Sequence, residues 1–319
     1  MKNLTLRSLR IFEATAACAS FSRAADLLEL TQPAVSMQIR QLETEVGMVL
    51  IDKHARPLTL TDAGRELLVH ARAILSQVRI AEDALGSLQG ALRGQLHLGV
   101  VGPANYFAPL LMQAFRRLHP EVRLKLTLDK REPLLASLAE HRIDLVIAGF
   151  PPALADVEAV AFARNPHCIV AAPDHRLAPQ AGVAWEALRD EPFLFREPGS
   201  ATRQFLDHLL LSNALRVNRA TELHGNESIK QAVMAGMGIS FLSAHTFQGE
   251  AEAGKLVVLD VVDMPKTLDW CVLHRRDSPL TGVHEAFHAF VVERGARIAA
   301  CRFVGRPIDA PDFRALNVE

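Results

Sequence analysis

The chain has 319 residues, 49% hydrophobic and 22% charged, with a formal net charge of −1 at pH 7. That length supports two or three compact units with cores of their own, while the near-neutral balance excludes a globally basic nucleic-acid binder, so any DNA contact must come from local charge placement. No apolar run approaches the ~20 residues of a membrane span, the start MKNLTLRSLR lacks an apolar signal region, and Cys18, Cys168, Cys271 and Cys301 form no C-x-x-C pair, so the expectation is a cytoplasmic protein with buried, reduced thiols and no membrane partner.

Residues 1–60 read as short helices followed by a ribbon. Leu6, Leu9, Phe12 and Ala16 line one face of a first helix. In "FSRAADLL", Ser22 can cap a second helix with Phe21 as its staple. "TQPAVSMQIRQLETEVG" places Thr31 at the cap, Pro33 in the first turn and Gly47 at the far end of a third. Val35, Ile39, Leu42 and Val46 form its buried stripe, which leaves Thr31, Gln32, Pro33, Ser36, Met37 and Arg40 outward. This is the layout of a helix-turn-helix that offers the start of its second helix to base edges. "LIDKHARPLTL" supplies a wing with Lys53, His54 and Arg56 at its tip, placed for phosphates. Charge alone does not separate this from an ordinary small helical bundle: residues 1–60 hold seven Lys/Arg and six Asp/Glu, a net of +1. Placement does, because the outward start of the third helix carries no acid until Glu43.

Residues 61–90 predict one long helix. Leu67, Ala71, Ile74, Val78, Ala81, Leu85 and Leu88 recur at alternating steps of four and three, a heptad seam. A helix tethered to a small domain has nothing of its own to cover such a seam, so a second copy of the chain is expected against it. Two DNA-binding units would then read two half-sites about one helical turn apart, or a multiple of that.

From Gly94 the period changes. "QLHLGVV" and "VRLKLTL" alternate like strands; "DLVIAGF", "CIVAA", "GISFLSA" and "KLVVLDV" are short buried runs; "YFAPLLMQAFRRLH" and "EPLLASLAEH" are helical. The expected fold is α/β, a mostly parallel sheet over residues 91–300. It divides into two subdomains around a cleft, one from about 94–163 with 266–300, the other about 164–265. The tail 301–319 carries no motif and is expected to be poorly ordered.

Ligands of open α/β folds sit at the carboxyl ends of strands, against helix starts. Gly102, Pro103, Ala104 and Asn105 follow the first strand. "REPGSATR" puts Ser200 and Thr202 at a helix start with Arg196 and Arg203 near. "GNESIK" puts Asn226, Glu227 and Ser228 at another, with Lys230 a turn on. His167 and His245 lie at strand ends. Free amides with two arginines and a lysine favour an anionic ligand; the alternative is that Ser200 and Asn226 only cap helices and Arg196 pairs with its surroundings.

"HEAFH" at 284–288 fits the zinc motif H-E-x-x-H, but no histidine follows it to complete a ligand set. Val283, Phe287, Phe290 and Val291 give that helix an ordinary packing stripe, leaving His284 and His288 at its edge, at the surface. With no G-x-S-x-G, P-loop or G-x-G-x-x-G, the expectation is no enzyme, no metal and no cofactor.

"AADLLELTQPAVSMQIRQLE" followed by "LTLTDAG" resembles the signature of LysR-type transcriptional regulators, and the likeness runs from about residue 4 to 295. "YFAPLL", "HPEVRLKL", "FLFREPGSATR" and "NESIKQAVMAGMGISFLSAHT" are similar to the CbbR-like subgroup that controls Calvin-cycle operons. The resemblance implies a winged helix-turn-helix, a linker helix and two Rossmann-like subdomains of periplasmic-binding-protein type. It also implies a homodimer or homotetramer, promoter DNA and RNA polymerase as partners, and a small-molecule effector in the cleft. It places DNA contacts on Thr31, Gln32, Pro33, Ser36, Arg40, Lys53 and Arg56. There are departures. Met37, Ile51 and Lys53 stand where many members carry arginine, phenylalanine and arginine. "GPAN" stands where the subgroup has Ser-Thr-Ala-Lys, and Phe150 where it has arginine. Two cationic groups are thus missing, which leaves open a regulator of another pathway with a less charged ligand. A stand-alone solute-binding protein shares the cleft but not the helix-turn-helix.

Overall fold

The computed structural model describes residues 4–53, 55, 57–87, 92–149, 156–217, 219–300, 302–303 and 306–307. They fall into two compact units, one of residues 1–92 with 139–142, the other of 93–138 with 143–319. Arg56, Leu88 and Phe150, and most of the tail, lie outside the described residues.

In the first unit α1 (Leu6–Cys18) starts on a reciprocal cap between Thr5 and Ser8. α2 (Phe21–Leu27) is capped by Ser20, whose side chain accepts from the Arg23 amide. The cap expected at Ser22 is therefore two residues earlier, and Phe21 is the first helical residue rather than a staple. α3 (Gln32–Val46) runs from its Thr31 cap to Gly47, which takes the left-handed conformation that glycine tolerates. Val35, Ile39 and Leu42 are buried with Leu9, Phe12 and Ala25 in one core. The wing is β1 (Ile51–Asp52) paired antiparallel with β2 (Thr59–Leu60).

α4 (Asp62–Ser87) follows at once. The Thr61 hydroxyl accepts from the Gly64 amide at 3.0 Å and donates to the Val49 carbonyl at 2.7 Å. A Cβ on Gly64 would lie 2.0 Å from the Leu50 carbonyl oxygen, so the helix start rests directly on the backbone entering the wing. The heptad seam is divided. Ala71 is fully buried and Leu67 partly, both in the core of their own domain, which corrects the expectation that the seam has no cover within the chain. Further along, Ile74 is 40% exposed, Leu85 is 65% exposed and Ala81 is exposed.

The second unit is built on one sheet. Its elements in chain order are β3 (Gly94–Val100), α5 (Ala108–Leu118), β4 (Val122–Leu128), α6 (Arg131–Ala139), β5 (Leu145–Gly149), β6 (Val157–Ala171), β7 (Pro192–Arg196), α7 (Ala201–Ser212), β8 (Arg219–Leu223), α8 (Asn226–Met234), β9 (Ile239–Ser243), α9 (Ala244–Glu252), β10 (Val257–Val258), β11 (Lys266–Arg275) and α10 (Gly282–Ile298). The strand order is β4-β3-β5-β11-β6-β9-β7-β8, with β10 on β6. The sheet is mixed, not mostly parallel: β4-β3-β5 and β9-β7-β8 are parallel, and every pairing of β6 and β11 is antiparallel. β5 and β9 are buried at every residue, including Ser240 and Ser243 of β9, as strands covered on both faces must be.

β6 and β11 join the two halves. Their register shifts between Trp270 and Cys271, where Phe162 is the extra residue of a bulge. β11 pairs with β5 over Trp270–Leu273, and β6 pairs with β9 over His167–Val170, so each strand serves a different half. "CIVAA" is only the end of the 15-residue β6, and "KLVVLDV" yields a two-residue strand plus a bridge from Val261 to Val183. In the tail, β12 (Arg302–Phe303) pairs with β13 (Arg306–Pro307).

Candidate functional site

The start of α3 is the outward feature of the first unit. Thr31, Gln32, Pro33 and Arg40 are exposed there, Ser36 is half-buried and Met37 is 61% exposed. Thr31 also has a structural task, accepting the Ala34 amide at 3.4 Å. Lys53 lies 2.8 Å from Glu43, whose other oxygen accepts the Leu50 and Ile51 amides at 3.0 and 3.3 Å. Burial opposes the charge on Glu43, but Lys53 and the two amides outweigh it and hold the carboxyl below its usual range. Lys53 thus ties the wing to α3.

In the second unit the carboxyl ends of β3, β4, β5 and β7 open onto a cavity of about 470 Å³, with β6 and β11 behind it. Of the residues singled out in the sequence, Gly102, Pro103, Asn105, His167, Arg196, Ser200, Thr202, Asn226 and Glu227 line it. Ala104, Arg203, Lys230 and His245 do not. Ala104 is wholly buried, and His245 donates Nε2–H to the Ala299 carbonyl at 2.8 Å. Burial takes the His245 pKa down to about 4.

The three cations expected to hold an anion are already matched. Glu197 takes Nε and Nη2 of Arg196 at 2.9 and 2.8 Å, and Arg196 also donates to Asn226. The Arg196 hydrogen bonds hold the Glu197 carboxyl down at about 2. Arg203 pairs with Asp207 at 2.8 Å, and Lys230 bridges Glu227 and Glu250 at 2.9 and 2.7 Å. Burial works against the Lys230 charge, yet the two carboxylates prevail and its pKa is raised. His167 is buried and its pKa falls to about 3, so the ring is neutral; Nδ1 bonds the Asn165 carbonyl at 3.0 Å.

Sequence reasoning missed Lys130 and Arg131, which line the cavity from the end of β4 and the start of α6. The carboxyl-end rule applied to β3 points equally to this loop. Lys130 is exposed and Arg131 half-buried, and neither makes a side-chain hydrogen bond or ion pair among the described residues. Tyr106, Leu128, Leu268 and Trp270 add apolar surface. Tyr106 also donates to Glu227, and the Lys230 ammonium sits 4.9 Å from the centre of its ring, linking the two lips of the cavity. Burial first, and Glu227 second, push the Tyr106 hydroxyl up to about 12. α7 and α8 both begin at this cavity without a side-chain cap, so their first-turn amides remain available to an anion.

His284 of HEAFH is not at the surface, and His288 is half-buried. His284 is 4% exposed, with Nε2 3.5 Å from Asp144, and His288 packs edge-on to His274. Among the described residues there is no group of three metal-ligating side chains, and no helix is long and apolar enough to cross a membrane.

Comparison with known proteins fits this geometry. Residues 6–65 match the family described as bacterial regulatory helix-turn-helix protein, lysR family, and residues 89–296 match the LysR substrate binding domain. A RuBisCO operon transcriptional regulator of Allochromatium vinosum is 41% identical over 93% of this chain and 98% of its own. The CcmR regulatory domain of Synechocystis, solved in complex with 2-PG, is 33% identical, with a TM-score of 0.60 over 63% of this chain and 97% of that one. A full-length OxyR variant from Pseudomonas aeruginosa shares the fold, with a TM-score of 0.75 at 20% identity, over 96% of this chain and 99% of that one.

Proposed function

The chain belongs to the LysR family of DNA-binding transcriptional regulators, and from that premise we propose that it controls a CO2-fixation operon in response to a small anionic metabolite. The observation that carries the ligand class is the 470 Å³ cavity, where Lys130 and Arg131 stand without ion pairs among the described residues, beside two uncapped helix starts. Arg196 is matched by Glu197, and Lys230 by both Glu227 and Glu250, while Asp129 lines the cavity next to the two cations. Relatives regulate RuBisCO operons and one binds 2-PG, which supports both halves of the reading.

Gln32, Pro33, Ser36 and Arg40 are the proposed base and phosphate contacts, with the wing over the backbone. The exposed outer part of the α4 seam takes a second copy of the chain, and dimers pair into a homotetramer. Ligand binding shifts the closure of the two halves about β6 and β11 only as far as it prefers one state, and the change in promoter bending alters access for RNA polymerase and activates transcription. The matched state of Arg196, Arg203 and Lys230 favours one alternative, a weakly charged ligand and another pathway.

A thermal-shift panel on the full chain separates the two. Ribulose bisphosphate, phosphoenolpyruvate, 2-PG, NADPH, ATP and uncharged or monocarboxylate metabolites are compared. Stabilisation of about 3 kcal/mol is expected at a hundredfold excess over Kd. A shift with a phosphorylated compound supports the proposal; a response confined to weakly charged compounds replaces it with the alternative.

A further inference from the structure

Glu43 is the first acid along α3, the helix that the chain offers to DNA, and its side chain is only 12% exposed. One carboxylate oxygen, Oε1, accepts the Leu50 amide at 3.0 Å and the Ile51 amide at 3.3 Å; the other, Oε2, accepts from the Lys53 ammonium at 2.8 Å. The carbonyls of the same stretch are held where α4 begins. There the Thr61 hydroxyl donates to the Val49 carbonyl at 2.7 Å, and the Thr61 amide donates to the Leu50 carbonyl at 3.0 Å. The side chains of Leu50 and Ile51 are buried in the core of the domain. The backbone entering the wing is therefore clamped between α3 and α4, and Glu43 supplies the clamp on the α3 side. A carboxylate on a DNA-binding helix is otherwise a liability, because phosphates within a Debye length, ~10 Å at 0.1 M salt, repel it.

We propose that Glu43 is a positioning residue for DNA binding, which fixes the direction of the wing relative to α3 so that the wing meets the DNA backbone while the start of α3 lies in the groove. The inference rests on the reading that the wing lies over the backbone, and adds the side chain that holds it there. Two other roles make different predictions. If Glu43 were only a charge near DNA, its removal would strengthen binding, because one repulsion is lost. If it served only the stability of the domain, its removal would lower the melting temperature and leave the affinity of the folded protein unchanged. A positioning role has a sign that neither gives: binding weakens although a negative charge has gone, and it weakens through lost phosphate contacts. Those contacts are counted by the slope of log K against log salt, about 0.9 for each phosphate.

The test is fluorescence anisotropy of the full chain on a duplex that the wild type enriches from a random library, titrated at several salt concentrations. Wild type is compared with Glu43→Ala, Glu43→Gln and Arg56→Gln, each shown to be folded at the assay temperature by circular dichroism. Arg56→Gln removes a basic group of the wing and tests the reading on which the inference rests. The proposal predicts binding about tenfold weaker in Glu43→Ala, with a salt slope smaller by about 0.9 or more. Glu43→Gln keeps one oxygen for the two amides but loses its charge toward Lys53, and should weaken binding about threefold with a slope shifted the same way. It carries the test if Glu43→Ala does not fold. Binding by the folded Glu43 variants as tight as wild type, or tighter, overturns the proposal, and so does weaker binding at an unchanged slope. If Arg56→Gln lowers the slope while the Glu43 variants do not, the inference fails and the wing reading stands. An unchanged slope in Arg56→Gln overturns the wing reading and this inference with it.

Discussion

Glu197 grips Arg196 with both carboxylate oxygens, at 2.9 and 2.8 Å, inside the wall of the cavity. The side chain that looks most like an anion receptor in the sequence is therefore a structural pair. Its partner also accepts the Gly225 amide at 3.1 Å, so the pair fixes the start of α8. Glu197→Ala should leave a buried guanidinium unmatched and cost about 3–5 kcal/mol. Urea unfolding measures this, and a loss under 1 kcal/mol would mean that the pair is not structural.

Acid should weaken the second unit for a reason legible in its buried groups. His167 falls from 6.5 to about 3, His245 from 6.5 to about 4, and Glu197 from 4.5 to about 2. All three folded-state values are depressed. Their contribution is present above the unfolded values and is lost as pH falls, between 6.5 and about 3 for the histidines and between 4.5 and about 2 for Glu197. At pH 5 each histidine accounts for a loss of about 2 kcal/mol relative to pH 7.5. Urea midpoints at the two pH values check this, and His167→Gln should remove about half of the histidine contribution; an identical fall in that variant contradicts the assignment.

The outer seam of α4 makes a separate prediction. Ile74→Asp or Leu85→Asp places a charge on the exposed stretch and should dissociate the dimer while the winged domain, whose core uses Leu68 and Ala71 instead, keeps its melting temperature. Light scattering reads the mass. An unchanged oligomer would put the interface elsewhere.

Gln32→Ala should weaken specific DNA binding by about 1–3 kcal/mol, the range of a base contact, without changing oligomer size. Fluorescence anisotropy on operator DNA reads it, and wild-type affinity would remove Gln32 from the interface.

The helix-turn-helix was legible because its signals are local. Thr31, Pro33 and Gly47 punctuate α3, and the stripe Val35, Ile39, Leu42 dictates which side is buried. The cleft was legible only where the same locality held, as in the helix starts at Ser200 and Asn226. Charge matching was not. Lys230 finds Glu250 twenty residues away, and no spacing rule announces that pair. Lys130 and Arg131 were hidden in a polar loop that looks like ordinary surface, although β4 ends there. The mixed sheet was missed because β6 and β11 are long strands shared by two halves, and an apolar run says nothing of the direction of its partner. His284 reads as an edge residue on its own helix, but Asp144, just before β5 and 3.5 Å away, makes its position interior.

A small anion in the cavity of the second unit is proposed to govern how the chain holds promoter DNA. The most direct measurement is a DNase I footprint of the full chain on a RuBisCO-operon promoter, with and without the anion that stabilises it most in the thermal panel. The expected result is protection of two half-sites at one-turn spacing or a multiple of it, with hypersensitive cuts between them that move when the anion is added. Absence of protection, or a pattern that the bound anion leaves unchanged, would contradict the account.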